Sequence, residues 1–301
     1  MTILLFSCSR EDNLSCEFEI TSNAIVIVPD IQIYTDSNNS SDLKSIVDFI
    51  NYNKSNIALC LQTGDLTNNN RPDQWRNVFE CYIERLYPEI PHYECLGNHD
   101  YGYNGTTNVR SSNIYWDISH NSKIYFGDFR ENYVQFVQIG EEEYGILVLE
   151  FAVRSDVLEW AQQILKLYPD NKFIVLTHAF LNSDGNMYSE SKIEAICDNP
   201  QSYAMSYDED TRNSEQIFNT LTSTCSNLKY IICGHSLPKE GFKVNTQMNI
   251  NGNPVKLIMV NFQHFENGGN GNIGILNVKP LQESLTIYST KSKECIINML
   301  L

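Results

Sequence analysis

Positive charge is what this chain is shortest of: 21 Lys and Arg face 37 Asp and Glu in 301 residues, a formal net charge of −16. That deficit argues against a broad basic face for nucleic acid, and an anionic substrate would need positive charge supplied locally, as a metal centre supplies it. Paired CxxC cysteines are missing as well, although the chain has nine cysteines, so no thiolate site of the zinc-ribbon kind is indicated. Cys60 and Cys233 lie inside apolar runs and read as core filler. No apolar run is long enough for a transmembrane helix. Internal repeats and linker-like stretches are also lacking, which favours one large domain over residues 21–301.

Residues 1–20 read apart from the rest. Met1-Thr2-Ile3-Leu4-Leu5-Phe6-Ser7-Cys8 is too short to span a bilayer, but Leu5-Phe6-Ser7 before Cys8 looks like the tail of a bacterial lipoprotein signal without its basic start. On that reading Cys8 carries lipid and anchors an exported, periplasmic or cell-envelope protein. Residues 9–20 are then a tether, and the other eight cysteines can pair in an oxidising compartment. The alternative is the frayed start of a soluble protein, with the cytoplasm as its location.

Downstream, apolar runs alternate with helical patterns. Residues 24–28 read as a buried strand closed by Pro29-Asp30-Ile31-Gln32, and residues 40–53 as a helix with an apolar stripe at Ile46, Val47, Phe49 and Ile50. Residues 57–61 form a second strand ending in Gly64-Asp65, followed by a helix over 72–86 with proline in its first turn. Residues 91–96 then lead into Gly97-Asn98-His99-Asp100. Residues 101–122 lack periodicity and read as a loop beside the site. Strands over 133–139 and 144–151 flank an acidic hairpin, and Ser155 caps a helix to about residue 168. The run 173–177 delivers His178, residues 181–212 read as an insertion able to lid the site, and residues 214–225 read as a helix. The run 230–233 delivers Gly234-His235-Ser236-Leu237, and 255–262 and 274–278 are strand-like.

Asp30, Asp65, Asn98, His178 and His235 each follow an apolar run, and in an open α/β sheet functional groups converge at the carboxyl ends of parallel strands. Carboxylates, imidazoles and amide oxygens without thiolate suit Mn, Fe, Zn or Ni, with Mg possible where oxygen dominates. This order of turns resembles the calcineurin-like metallophosphoesterases, whose pattern is Asp-x-His, Gly-Asp, Gly-Asn-His-Asp/Glu, an isolated His and Gly-His-x-His. The resemblance covers roughly residues 24–265 and implies a two-sheet αββα sandwich of the α/β class that hydrolyses phosphoesters. It further implies that Asp65 bridges two divalent ions, with Asp30 and Gln32 at the first and Asn98, His178 and His235 at the second. His99 would protonate the leaving oxygen, with Asp100 orienting it. Two ions about 3.5–4 Å apart would supply a hydroxide for in-line attack on phosphorus.

Two positions depart from the family pattern: Gln32 and Leu237 stand where it places histidines, both at the first ion. The first site is therefore expected to be weak and to tilt towards Mn or Mg, with Gln263 or His264 as candidates to fill the gap. Pro-Asp-x-Gln at 29–32, together with Asn261-Phe262-Gln263 and Gly268-Gly269-Asn270-Gly271, is similar to one branch of the family. Two other functions compete. One is a scaffold of the same fold that binds metal without catalysis. The other is a serine α/β-hydrolase using Ser236, opposed by Pro238 where the elbow needs glycine and by His264 as the only later histidine.

Overall fold

The structure is a computed structural model that describes residue 20 and residues 22–36, 40–102, 110, 123–127, 130–190, 198–207, 209–278 and 283–301. Two mixed sheets stack face to face with helices outside them. In the first sheet β1 (Ala24–Val28), β2 (Ile57–Gln62) and β3 (His92–Glu94) run parallel, and β11 (Asn272–Asn277), β12 (Ser284–Ser289) and β13 (Glu294–Leu300) extend it antiparallel from β1. In the second, β6 (Glu142–Val148), β7 (Lys172–Leu176), β8 (Leu228–Cys233) and β10 (Pro254–Val260) are parallel neighbours. The antiparallel strands β4 (Ile124–Tyr125), β5 (Tyr133–Ile139) and β9 (Phe242–Met248) flank them. This is the αββα sandwich that the resemblance implies.

Strand alternation explains why the central runs are apolar throughout. Along β1, Ile25 and Ile27 pack between the sheets while Ala24, Val26 and Val28 pack under helices, so neither face meets water. Along β7, Ile174 and Leu176 point between the sheets and Phe173 and Val175 outward. The first sheet is covered by α1 (Gln32–Asp36), α2 (Ser40–Tyr52) and α3 (Pro72–Cys81), with Leu43, Ile46, Val47 and Ile50 of α2 buried at helical spacing. The second is covered by α4 (Ser155–Leu167), through Val157, Leu158, Ala161, Ile164 and Leu165, and by α5 (Ser214–Thr222).

Several boundaries differ from the expected ones. The helix expected over 72–86 stops at Cys81, because the backbone of Tyr82 leaves the helical region and a 3-10 turn, Ile83–Arg85, follows. The strand expected over 91–96 pairs only at His92–Glu94, on the sheet edge. Arg154 rather than Ser155 occupies the cap of α4, and the Ser155 hydroxyl donates to Asp210 instead. Most of the 101–122 loop, and Cys8, lie outside the described residues. Full pairing of the eight remaining cysteines does not occur: Cys60, Cys81, Cys95, Cys225 and Cys233 are free, and Cys60, Cys95 and Cys233 are sunk in three different apolar clusters. Cys295 is disulfide-bonded. Among the described residues no helix is long and apolar enough to cross a membrane.

Candidate metal centre and active site

The site lies where parallel strands of both sheets end. Asp30 follows β1, Asp65 follows β2, Asn98 follows β3, His178 follows β7 and His235 follows β8. Two of these turns need unusual backbone: Asp65 has φ 52° and His235 φ 70°, the left-handed region that costs a side-chain-bearing residue roughly 1–2 kcal/mol. Strain of this kind persists where the surroundings over-determine the turn. Here the neighbours crowd closely. A Cβ on Gly97 would sit 2.2 Å from Oδ1 of Asp65, and one on Gly234 would sit 2.1 Å from Oδ1 of Asp30.

Four side chains meet in one cage. His178 Nε2 is 3.1 Å from Asn98 Oδ1, 3.1 Å from His235 Nδ1 and 3.3 Å from Asp65 Oδ1. Ligand bonds of about 2.1 Å at tetrahedral to octahedral angles put neighbouring donor atoms about 3.0–3.4 Å apart, so these separations fit the edges of a coordination polyhedron. The imidazoles are also oriented for ligation. His178 Nδ1–H donates to the Thr63 carbonyl at 2.7 Å and His235 Nε2–H to the Asp198 carbonyl at 2.7 Å. Each ring therefore turns its other nitrogen into the cage, the arrangement that fixes the tautomer of a metal ligand. Among the described residues, Asp65, His178 and His235 form a buried group able to hold a metal ion.

The charges point the same way. Burial works against a charge on His178, but the Asp65 and Asp30 carboxylates prevail and push its pKa up to about 9. Burial and the neighbouring His178 push His235 down to about 4. For Asp65, burial is outweighed by His178 and His99, which hold its carboxyl well below the usual range. Burial and the nearby carboxylates thus shift the two imidazoles in opposite directions, and a divalent cation bound here would compete with protons for the cage.

Asp30 and Gln32 stand beside the cage. Asp30 Oδ1 accepts from the Thr63 hydroxyl at 3.1 Å, and its Oδ2 accepts from the His235 amide at 3.1 Å and from Asn261 Nδ2 at 2.8 Å. Burial pushes its pKa up to about 7, with Asp65 adding to the rise against His178. Gln32 opens α1 and donates from Nε2 to Asp65 Oδ2 at 3.1 Å and to Gln263 Oε1. Its own Oε1 is buried without a partner.

His99 and Asp100 divide their work. The His99 amide donates to Asp65 Oδ1 at 2.9 Å, and its ring borders the cleft with Nδ1–H donating to the Asn68 carbonyl at 2.8 Å. Burial resists a charge on this ring, but Asp65, the Asn68 carbonyl and Asp100 raise its pKa overall. The Asp100 carboxylate is fully buried and accepts from the amides of Gly97, Leu66 and Thr67 and from the Thr67 hydroxyl, at 2.8 to 3.1 Å. Asp100 thus ties the third turn to the second, and the ring of His99 is oriented by its own Nδ1–H donating to the Asn68 carbonyl.

A cleft of about 500 Å3 opens over the cage, lined by Asp65, Asn98, His99, His235 and Gln263 among others. Part of the 181–212 insertion borders it through Asn182, Asp184, Asp198 and Tyr203, while residues 191–197 lie outside the described residues. Ser236 is 1% exposed, its hydroxyl donating to Asp198 Oδ2 at 2.6 Å and lying 2.5 Å from the Tyr188 hydroxyl. A carboxylate and a phenol in place of an imidazole base do not favour a serine nucleophile. Leu237 borders the cleft and His264 is exposed. Thr63, Asn68 and Asp198 carry no sign of a role in the sequence, because what ties them to the imidazoles is a backbone carbonyl, which leaves no mark on residue type. Phe151 was equally silent as a strand residue, yet it packs against His178 and His235 with ring centroids 5.7 and 5.5 Å away.

Carboxylate, amide and imidazole donors gathered at strand ends of an αββα sandwich make a site able to hold a divalent metal ion. The profile of the calcineurin-like phosphoesterases matches residues 24–239, and the chain belongs to that family. It is similar to the uncharacterized protein YvnB of Bacillus subtilis (strain 168), 23% identical over 140 residues that make up 45% of this chain and 11% of that protein. The chain therefore corresponds to only a small part of that relative. Its fold is similar to the purple acid phosphatase PPD1 from yellow lupin (Lupinus luteus) seeds, with a TM-score of 0.56 and 12% identity over 95% of this chain and 55% of that one. An uncharacterized, predicted phosphoesterase from Streptococcus pneumoniae TIGR4 aligns with a TM-score of 0.33 and 8% identity over 92% and 96% of the two chains.

Proposed function

We propose that this chain is a metal-dependent hydrolase of phosphoesters, cleaving them by in-line attack of a metal-activated water. The carrying observation is the cage itself, with His178 Nε2 within 3.1 to 3.3 Å of Asn98 Oδ1, His235 Nδ1 and Asp65 Oδ1. Asp65, Asn98, His178 and His235 would hold one ion, and Asp30, Gln32 and the second oxygen of Asp65 would hold its neighbour. Divalent ions bound here would polarise the phosphoryl oxygens and lower the pKa of the attacking water.

The chain's own groups supply the rest. His99 stands at the cleft wall with Nδ1 committed to Asn68. Its pKa is raised above the usual imidazole value by Asp65, the Asn68 carbonyl and Asp100 against burial, and in the protonated ring Nε2–H can bind a phosphoryl oxygen and donate a proton to the leaving oxygen. Asp100 keeps that ring's backbone against Asp65. The closed arrangement of Asp198, Ser236 and Tyr188 holds the His235 turn in place.

The test is turnover of aryl phosphate monoesters and diesters with Mn, Mg, Zn or Fe(II) added, for the parent and for His99→Ala. Hydrolysis is expected, with His99→Ala slower by about a hundredfold or more and unchanged in metal content. Bound metal with no hydrolysis of any phosphoester would favour the scaffold reading instead. The ratio of monoester to diester rates assigns the substrate type.

A further inference from the structure

Gln32 presents an anomaly that its neighbours explain. Its Nε2 lies against two acceptors, Asp65 Oδ2 at 3.1 Å and Gln263 Oε1, while its Oε1 is buried with no partner in a residue only 1% exposed. An unpartnered buried acceptor costs about 1–3 kcal/mol. Turning the amide over would bring Oε1 to face the oxygens of Asp65 and Gln263. Three oxygens directed at one another repel, unless a cation lies between them.

Gln263 is held there by design of the local chain. Asn261 at the end of β10 donates from Nδ2 to Asp30 Oδ2 at 2.8 Å and to the His235 carbonyl at 3.0 Å, and its Oδ1 accepts the Gln263 amide at 3.0 Å. This clamp joins the ends of β1, β8 and β10, and it sets Gln263 over Gln32 at the cleft wall. The glycine run that follows secures the other partner: the Gly271 amide donates to the Tyr34 hydroxyl of α1 at 3.1 Å, pinning the helix that Gln32 begins. Leu237, which has no donor atom, also borders the cleft and is 46% exposed.

We propose that Gln263 completes the first cation position, and that this position is built from oxygen alone: the carboxylates of Asp30 and Asp65 and the side-chain amide oxygens of Gln32 and Gln263. The neighbouring cage carries two imidazole nitrogens, so one chain holds two positions of different character. An oxygen-only position selects a hard divalent ion such as Mg or Mn, while the imidazole cage suits Zn or Fe(II). The proposal rests on the metallohydrolase reading for the presence of ions, but not for turnover.

The experiment measures metal binding on the intact chain. Zinc alone should saturate at one tight ion, and Mn titrated onto that form, followed by the EPR signal of free Mn, should fill a second. Gln263→Ala is expected to weaken the Mn position by at least about tenfold while zinc content stays at one, with circular dichroism and melting confirming the fold. Gln263→Glu still accepts from Gln32 and adds a charged oxygen, so it should tighten Mn. A residue that merely braced Gln32 would leave Mn affinity unchanged in Gln263→Glu, and that outcome overturns the proposal. So does a chain that never takes a second ion at saturating Mn. Two ions bound without phosphoester turnover would uphold this proposal and sink the hydrolase reading, whereas turnover with a single ion would do the reverse.

Discussion

At the scale of the residue, Asp100 shows how a side chain inside the Gly97-Asn98-His99-Asp100 turn can serve mainly to hold backbone. Its two oxygens accept from three amides and a hydroxyl in two different turns, so removing them strands several buried donors together. Each stranded donor costs about 1–3 kcal/mol, and Asp100→Ala is expected to destabilise the chain by roughly 3 kcal/mol or more. Thermal melting should fall by at least about 5 °C, on the scale of 2–4 °C per kcal/mol for a chain of this size. Asp100→Asn, which keeps one acceptor, should fall between. Turnover should drop in step with loss of the folded turn, unlike His99→Ala, which should melt normally and lose turnover alone. An Asp100→Ala chain that melts like the parent would assign Asp100 no clamping role. The motif Gly97-Asn98-His99-Asp100 was legible in the sequence as chemistry, but the division of labour within it was not, since backbone amides carry no sequence signature.

At the scale of the element, the centre exists because strand ends are brought so close that even a methyl group does not fit between them. The site Gly234 occupies would place a Cβ 2.1 Å from Asp30 Oδ1 and 2.6 Å from the Thr63 hydroxyl. Gly234→Ala must therefore push β8's turn away from β1's, and with it His235 from Asp30. The expected result is a folded chain whose metal affinity falls at least about tenfold, the scale seen when the groups that orient ligands are disturbed. Calorimetric titration with zinc and a parallel circular dichroism spectrum check this, and unchanged affinity would mean the turns move independently. The same closeness explains what was readable in advance. Asp30, Asp65, Asn98, His178 and His235 stood out because buried parallel strands are apolar on both faces and stop abruptly at a polar group. Gln263 was harder to place, since a glutamine after a strand has many ordinary uses. Only its position over Gln32, 231 residues away in sequence, sets it apart from an ordinary turn residue.

At the scale of the whole molecule, strands made of continuous apolar runs were legible and the edge strands β9 and β13 were not. β9 and β13 are edge strands with partly exposed, alternating or polar residues, as in Phe242–Met248 and Glu294–Leu300, and they lack the continuous apolar runs of β1 or β8. A second hidden feature is the buried ionic group beside the centre. Arg110 donates to the Phe151 and Ala152 carbonyls at 2.6 and 2.7 Å and pairs with Glu209 at 2.8 Å and with Glu150 at 3.7 Å. Glu131 adjoins this group, accepting from the Tyr101 hydroxyl at 2.6 Å with its Oε1 buried and unpartnered. Burial, with Glu150 adding to it against Tyr101, Arg110 and Arg154, raises the pKa of Glu131 from 4.5 to about 8. The sign follows from proton counting. Between pH 4.5 and 8 the folded chain keeps this proton while the unfolded chain has lost it, so the contribution of Glu131 to stability is full below about pH 4.5 and fades as pH rises through 8. By pH 7 the loss amounts to at most about 3 kcal/mol. Glu131→Gln has no proton to lose, so the difference in melting temperature between variant and parent should move in the variant's favour from pH 5 to 8 by a few degrees. Comparing the two chains at saturating metal cancels titrations at the centre. A difference that stays constant across that range would mean Glu131 is ionised in the folded chain, and the arginines would then be its counter-ions.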